Sequence, residues 1–190
     1  MSRGYKTIFW GIVFISFHIN LGSFQILPNF IGWAMVVSGI NQLRTIYNSA
    51  RFEKASVIAL IAVFHSIISL LVTFRYPYAD NSSPFMMFWI ILISILEILI
   101  EYFIIHGSAE YLYDGDDMET ADNLVKLFQW YLIIYFLNTI LVCISFTLYN
   151  NSLTASAAVI GMVLRVWFLA LISRLKKHQQ EEEMTENQEQ

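Results

Sequence analysis

Apolar segments long enough to cross a lipid bilayer constrain this chain more than any other feature. The segment ASVIALIAVFHSIISLLVTF fills residues 55–74 without a single Asp, Glu, Lys or Arg. A helix needs about 20 predominantly apolar residues to cross a bilayer. Hydrocarbon offers the backbone no hydrogen-bond partner, so each such segment must be helical. The sequence therefore predicts an all-α fold, in the form of an integral membrane helical bundle.

Six apolar segments approach or reach the length of a membrane span. They cover residues 5–20, 29–43, 55–74, 85–105, 127–148 and 153–173. The chain has 8 glycines and 3 prolines among 190 residues, which favours long uninterrupted helices. We therefore predict about six transmembrane helices in one domain, residues 1–177. The first two segments are short, and a hairpin of two half-spanning helices is an alternative for them.

The C-terminal stretch HQQEEEMTENQEQ, residues 178–190, has a different composition from the rest of the chain. It is polar and acidic, and it has no apolar periodicity. Such a segment cannot bury enough apolar surface to offset the entropy lost on ordering. We predict a disordered acidic tail there.

Lysine and arginine fall almost entirely on one side of the predicted bundle. With six spans, the side that carries both termini receives Arg3, Lys6, Arg44, Arg51, Lys54, Lys126, Arg174, Lys176 and Lys177. The opposite side receives Arg75, and Arg165 lies within the last span. Basic residues mark the cytoplasmic side of membrane proteins. We predict a multi-pass protein of the cell membrane with both termini in the cytoplasm.

Composition and motifs argue against several classes of function. The net charge of −4 comes largely from the tail and one acidic loop, so no nucleic-acid partner is indicated. The single cysteine, Cys143, excludes an internal disulfide, and none of the common hydrolase, nucleotide or metal motifs occurs. We expect no metal and no cofactor, and we lean against an enzyme; Glu101 with His65 is the constellation that would support one. The expected partners are the lipid bilayer and either a membrane protein or a second copy of the chain.

Charged residues inside the predicted spans are the candidates for function, because they are costly there. Glu97 and Glu101 lie in ILEILIE in the fourth span, and Arg165 lies in the sixth. From the helical rise, Glu97 lies about 18 Å and Arg165 about 20 Å below the outer ends of their spans. Arginine binds a carboxylate well through its planar fork. The matching depths therefore predict a Glu97–Arg165 pair near the bilayer centre.

Two further polar residues fall at similar depth. His65 lies about 14 Å and Asn138 about 17 Å below the outer ends of the third and fifth spans. With the charged residues they form a candidate intramembrane polar cluster: Glu97, Glu101, Arg165, His65 and Asn138. Glu101 lies one turn nearer the cytoplasm than Glu97, on the same helix face. It must be protonated, hydrated or paired with His65.

The acidic loop DGDDMETAD precedes the fifth span. Asp116 with Glu119 three residues later resembles the capping arrangement of a helix N-terminus. The ligand spacing and the closing glutamate of a calcium-binding EF-hand loop are missing. We therefore predict a capped helix start at this loop.

The stretch NLGSFQILPNFIGW, residues 20–33, separates the first two spans. Pro28 suits the first turn of the second helix, Asn29 can satisfy backbone groups of the turn, and Gly32 permits close packing. The motif ILPNFIGW, followed by a glycine-containing helix and a basic loop, resembles the N-terminal part of small uncharacterised membrane proteins of Gram-positive bacteria. The resemblance covers roughly residues 6–54, and an acidic residue often stands where this chain has Asn29. It implies a polytopic bacterial membrane protein and no particular activity.

Two functions remain open from the sequence. The absence of enzymatic motifs, the short loops and the tail favour a structural or regulatory membrane protein that acts through partners. The alternative is a small transporter or channel that uses Glu101 as a titrating group and the Glu97–Arg165 pair as scaffold. A water-reachable cavity around these residues would favour transport, and a sealed bundle would favour the first function.

Overall fold

The computed structural model describes residues 3–16, 20–21, 24–25, 29–75, 84–115 and 117–186. Within them it contains six helices: α1 (Arg3–Ser16), α2 (Asn29–Tyr47), α3 (Ala50–Arg75), α4 (Pro84–Asp114), α5 (Met118–Thr147) and α6 (Asn151–Glu186). Two short strands, β1 (Asn20–Leu21) and β2 (Phe24–Gln25), pair antiparallel between α1 and α2. The fold is an all-α helical bundle, which confirms the predicted fold class.

The helices of the described chain form a closed ring in chain order. Each helix packs against the next one, and α6 packs against α1. Short connections between packed neighbours make successive helices antiparallel. We call the end at which α1 begins and α6 finishes the terminal end, and the opposite end, which carries β1 and β2, the hairpin end.

Four of the described helices are long and apolar enough to cross a membrane. The qualifying segments are Ala50–Val72, Phe88–Asp114, Met118–Thr147 and Asn151–Glu181. Many of their large apolar side chains lie exposed on the outside of the ring, such as Phe64, Trp130 and Phe136. An exposed apolar belt of this kind indicates a membrane protein.

Helices α1 and α2 do not belong to this group, although the sequence predicts about six spans. Helix α1 has 14 residues, which is about 21 Å of helix. Helix α2 has 19 residues, but Ser38, Asn41 and Gln42 interrupt its apolar sequence. The predicted first span reaches Asn20, whereas α1 ends at Ser16 and Asn20 pairs with Gln25 in the strand pair.

The α1–α2 interface is built on glycine. A Cβ atom added at Gly11 would lie 2.8 Å from the backbone oxygen of Gly32, and one added at Gly32 would lie 2.8 Å from that of Gly11. Gly39 approaches the backbone oxygen of Gly4 in the same way, at 2.7 Å. The seven-residue spacing within each helix repeats the contact two turns along. At these four positions the two backbones approach so closely that only glycine fits without a shift.

Helix α5 begins at a side-chain cap. Asp117 is its N-cap, and Asp117 Oδ1 accepts a hydrogen bond of 3.2 Å from the backbone N–H of Thr120. The sequence predicts Asp116 in this role; that residue lies outside the described part of the chain. Asp117 Oδ2 also lies 2.8 Å from Nε2 of His178 on α6. The hydrogen bond from Thr120, followed by the contact with His178, lowers the pKa of Asp117 from its ordinary value.

Helix α6 continues through Glu186, where the sequence predicts a disordered tail from residue 178. Gln179 is buried, His178 contacts Asp117, and Lys177 forms an ion pair of 3.4 Å with Glu181 one turn later. Glutamate and glutamine are also good helix formers. The structure thus differs from the predicted disordered tail over residues 178–186, where contacts with the bundle accompany a helix that continues past the last apolar segment. Residues 187–190 lie outside the described chain.

Candidate functional site

An ion pair bridges the interior of the ring. Glu97 of α4 and Arg165 of α6 face each other although α5 lies between their helices in the ring order. Nη1 of Arg165 lies 3.0 Å from Oε1 of Glu97, and Nη2 lies 3.1 Å from Oε2. This bidentate geometry is the strong form of an arginine–carboxylate contact. The structure thus brings together the two residues that the sequence places at matching depth.

Two other helices support the pair. Nη1 of Arg165 also donates a hydrogen bond of 3.4 Å to Oγ of Ser16 at the end of α1. The Tyr135 hydroxyl of α5 lies 3.5 Å from Oε2 of Glu97 and donates to the backbone oxygen of Ser94 at 3.2 Å. The pair therefore links four helices, and its members keep a defined position.

A cavity of about 330 Å³ extends from the pair towards the hairpin end, between α1, α2, α3, α4 and α6. We call it the vestibule. Polar and aromatic residues of its wall include Asn29, His65, Ser66, Trp33 and Trp89. Its floor is the ion pair, in which the Arg165 side chain is 32% exposed and that of Glu97 is 11% exposed. The pair is thus reachable from the cavity although it lies deep in the bundle.

Two buried polar atoms of the vestibule wall have no partner in the described chain. His65 stacks on Trp89 with ring centroids 4.1 Å apart, but its Nε2 has no hydrogen-bond partner among the described residues. The same holds for Oδ1 of Asn29, the first residue of α2. Buried polar atoms in native proteins are normally satisfied by protein or water. These two atoms are exceptions to that pattern, in residues that line the vestibule.

A second cavity of about 150 Å³ reaches the pair from between α4, α5 and α6. Asn138 and Thr139 line it together with Ser94, Glu97 and Arg165. Oδ1 of Asn138 is buried and has no partner in the described residues. The predicted polar cluster is thus divided by the ion pair, with His65 on one side and Asn138 on the other.

Glu101 lies apart from both cavities. It is 5% exposed, and its Oε2 accepts a hydrogen bond of 2.7 Å from the Tyr131 hydroxyl. Among the described residues it has no ion-pair partner, and it is not bonded to His65. Of the three states that the sequence allows for this residue, pairing with His65 is not found.

A close-packed layer separates the vestibule from the terminal end. Phe128 stacks on Tyr131, and Tyr131 packs against Phe168, with centroids 5.5 and 5.9 Å apart. These three rings are almost fully buried, as are Ile100 and Ile104 of α4. Glu101 lies within this layer through its bond to Tyr131.

Polar contacts fasten the helices at the terminal end. Tyr5 of α1 donates a hydrogen bond of 2.8 Å to Ser108 of α4, and Arg51 of α3 pairs with Glu110 of α4 at 2.6 Å. The Asp117–His178 contact joins α5 to α6 in the same region. Among the described residues, these contacts join neighbouring helices at the terminal end, below the close-packed layer.

A four-residue spacing of side chains on α4 and α5 could have identified several further residues of the site. Trp89, Ile93, Glu97 and Glu101 recur every four residues and share one face of α4. Tyr131 and Tyr135 have the same spacing on α5 and meet the two glutamates. The four-residue spacing therefore predicts that Trp89 lies on the same face of α4 as the two glutamates. The facing of α5 cannot be predicted from it, because it depends on the ring geometry.

The remaining sequence candidates lie around the α1–α2 hairpin. Asn29 lines the vestibule, Gly32 forms the contact with α1, and Pro28 lies outside the described residues. No cluster of three or more His, Cys, Asp or Glu residues able to hold a metal occurs in the described part of the chain.

No protein-family model, curated protein or solved structure matches this chain. The function must therefore be inferred from the geometry of the site itself.

Proposed function

We propose that the protein is a small multi-pass transporter of the cell membrane that admits a polar solute into the vestibule. The observation that carries this proposal is a cavity of about 330 Å³ that ends on a bidentate ion pair deep in the bundle. Small-molecule sites are typically concave, largely preformed and equipped with a few convergent polar groups. Intramembrane charges that line a cavity are typical of substrate and ion pathways.

The distribution of basic residues gives the proposed orientation. Most Lys and Arg residues lie at the terminal end, so that end faces the cytoplasm. The vestibule then opens to the outside. The ILPNFIGW motif acquires a role in this arrangement, because Asn29 and Trp33 form part of the vestibule wall. A bacterial cell membrane, as the resemblance of residues 6–54 implies, is part of this proposal.

The close-packed layer supports transport rather than simple permeation. A channel needs a continuous path, whereas a transporter exposes its site to one side at a time. The rings of Phe128, Tyr131 and Phe168 close the path between the ion pair and the cytoplasmic end. We therefore propose that the structure represents an outward-open state, and that movement of this layer admits the solute to the cytoplasm.

Glu101 is proposed as the group that couples transport to protons. It lies in the closing layer, one helical turn below Glu97, and it lacks a cation partner in the described chain. A carboxyl group there can lose its charge by taking up a proton, which removes the cost of carrying the charge through a dry layer. Glu101→Gln should leave solute binding intact and abolish the dependence of uptake on a pH gradient.

The proposal is tested by uptake into proteoliposomes from a mixture of amino acids, sugars, polyols, short carboxylates and nucleosides, analysed by mass spectrometry. At least one solute should accumulate. Ser66→Phe, which fills the vestibule, should abolish its uptake, whereas Ser156→Phe on the exposed face of α6 should not. Absence of any solute or proton flux from folded, reconstituted protein would contradict the proposal.

A structural or regulatory protein that acts through partners is the second candidate. Helix α6 supports it, because the helix runs 13 residues past residue 173, about 20 Å beyond the predicted span. Deleting residues 182–190 distinguishes the two functions. A transporter should retain uptake without this segment, whereas a protein whose task is to hold a partner should lose its cellular phenotype at unchanged protein level.

A further inference from the structure

We infer that the solute of the vestibule is a small zwitterion with one carboxylate and one cationic nitrogen, as in an amino acid or a betaine. The inference rests on the proposed transport function and narrows its substrate class. It is drawn from the position of one full positive and one full negative charge, side by side, on the floor of a cavity with polar and aromatic walls.

The two opposite charges of the pair favour a zwitterion over an anion, a cation or an uncharged solute. Glu97 and Arg165 are the charged residues among the described residues that line the vestibule. An anion that approaches Arg165 is repelled by Glu97, and a cation that approaches Glu97 is repelled by Arg165. For each of them the repulsion offsets part of the attraction. An uncharged solute can form hydrogen bonds with the pair but carries no charge to complement either member. A zwitterion can place each charge opposite its counterpart.

The pair has unused hydrogen-bonding capacity for such a ligand. A guanidinium has five N–H donors, and Arg165 uses three of them for the described bonds to Glu97 and Ser16. Oε1 of Glu97 contacts only Arg165 among the described bonds, so it can accept a second bond. The ligand carboxylate can therefore bind Arg165, and its cationic nitrogen can bind Glu97, while the bridge across the ring stays closed. The result is a ring of four alternating charges.

The vestibule wall supplies a second, independent observation. Trp33 and Trp89 line the vestibule near the ion pair. The face of an indole ring attracts a cationic nitrogen, whether it is an ammonium or a quaternary ammonium group. The vestibule has a volume of about 330 Å³. Small-molecule sites usually have volumes of about 300–1,000 Å³, so the vestibule suits a ligand of the size of an amino acid.

Binding to the purified full chain in nanodiscs tests the inference. The probes are the standard amino acids and glycine betaine, each with three analogues: the amine without the carboxylate, the acid without the amine, and the uncharged N-acetyl amide where it exists. At least one zwitterion should bind saturably in calorimetry. Its singly charged and uncharged analogues should bind roughly tenfold or more weakly, because each loses a charge-assisted contact.

Two variants locate the site. Glu97→Gln with Arg165→Gln in one chain removes both charges and leaves two neutral amides, so the preference for the zwitterion should disappear. Ser66→Phe should abolish binding by filling the vestibule and leaves the ion pair unchanged, so it serves if the double variant fails to fold. Arg174→Gln, a cation at the terminal end, is the matched control and should bind as the wild type does.

The outcomes separate the inference from the proposed function. If an acid, an amine or an uncharged solute binds best and Ser66→Phe abolishes that binding, the substrate class is wrong and the transport function stands. Zwitterion binding that survives in both the double variant and Ser66→Phe would overturn the assignment to the vestibule. If no probe binds and no solute is taken up by proteoliposomes, both the inference and the transport function fail.

Discussion

At the residue scale, the Glu97–Arg165 bridge dominates the energetics of the site. Removing one member of a buried ion pair leaves an uncompensated charge, whereas replacing both members is often tolerated. The partial exposure of the Arg165 side chain, 32%, moderates this cost. Single and double substitutions of the bridge should therefore differ sharply in their effect on the free energy of unfolding.

Arg165→Gln should destabilise the protein by about 3 kcal/mol, at the low end of the range for broken buried pairs. The double variant Glu97→Gln/Arg165→Gln should regain most of this loss, because no charge is left unpaired. Thermal unfolding of the purified protein in detergent measures both effects. Equal destabilisation of the single and double variants would show that the arginine acts through packing and not through charge.

Asp117 gives a prediction for acid pH at the start of α5. Its folded-state pKa is lowered, so its stabilising contribution is fully present above the unfolded pKa of about 3.9 and is lost as the pH falls through the folded value. Asp117→Ala should cost about 1 kcal/mol at pH 6, as for a lost N-cap.

The difference between wild type and Asp117→Ala should begin to shrink below about pH 4, where the unfolded chain takes up a proton at this residue, and should be lost as the pH falls through the lower folded-state pKa. Unfolding midpoints between pH 3 and pH 7 measure it. Asp114→Ala, an exposed residue at the end of α4, is the control. A difference that stays constant down to pH 3 would contradict the assigned role of the carboxylate.

The sequence predicts the depth of each polar residue in the bundle better than it predicts which residues contact it. The helical rise places Glu97 and Arg165 at one depth, and the structure pairs them. Depth says nothing about which way a helix faces. The Tyr131 partner of Glu101 and the separation of His65 from Asn138 therefore required the ring geometry.

At the element scale, the α1–α2 hairpin depends on close backbone contact. Gly11→Ala should destabilise the protein by about 1–3 kcal/mol through overpacking, because its Cβ would meet the backbone of α2 at 2.8 Å. Gly161→Ala on α6 is the matched control, since its Cβ would meet only Nδ2 of Asn138 at an ordinary 3.5 Å.

Gly161→Ala should be neutral or stabilising by up to about 1 kcal/mol, because alanine favours a helix interior over glycine. The two variants share the same chemical change and differ in their surroundings. Thermal unfolding in detergent distinguishes them. A stabilised Gly11→Ala variant would contradict the close α1–α2 packing.

Hydropathy predicts the existence of the helices but not their limits. The long helices α3 to α6 cover the predicted apolar segments to within one residue and extend beyond most of them, because the polar residues next to these segments are also helical. The extension of α6 depends on the burial of Gln179 and the contact of His178 with Asp117. Local composition does not contain these tertiary contacts, so the tail appeared disordered from sequence.

At the scale of the whole molecule, the described helices enclose a cavity on the hairpin side of the ion pair and a close-packed layer on the terminal side. The sequence predicts a bundle and its orientation from apolar length and basic residues. A cavity depends on which inward faces remain unfilled after six helices pack, and no single segment encodes this. The vestibule is therefore a property of the assembled ring, as is its termination at Glu97 and Arg165.

Cysteine accessibility tests the outward-open vestibule most directly. In a Cys143→Ser background, Ser94→Cys places a thiol on the cavity wall one turn from Glu97, and Ile95→Cys places one at the same depth on the exposed apolar face. Ser108→Cys probes the closed terminal end. A membrane-impermeant thiol reagent applied outside intact cells should label Ser94→Cys and spare Ile95→Cys and Ser108→Cys. Failure to label Ser94→Cys in folded protein, or labelling of it only from the cytoplasmic side, would contradict the account.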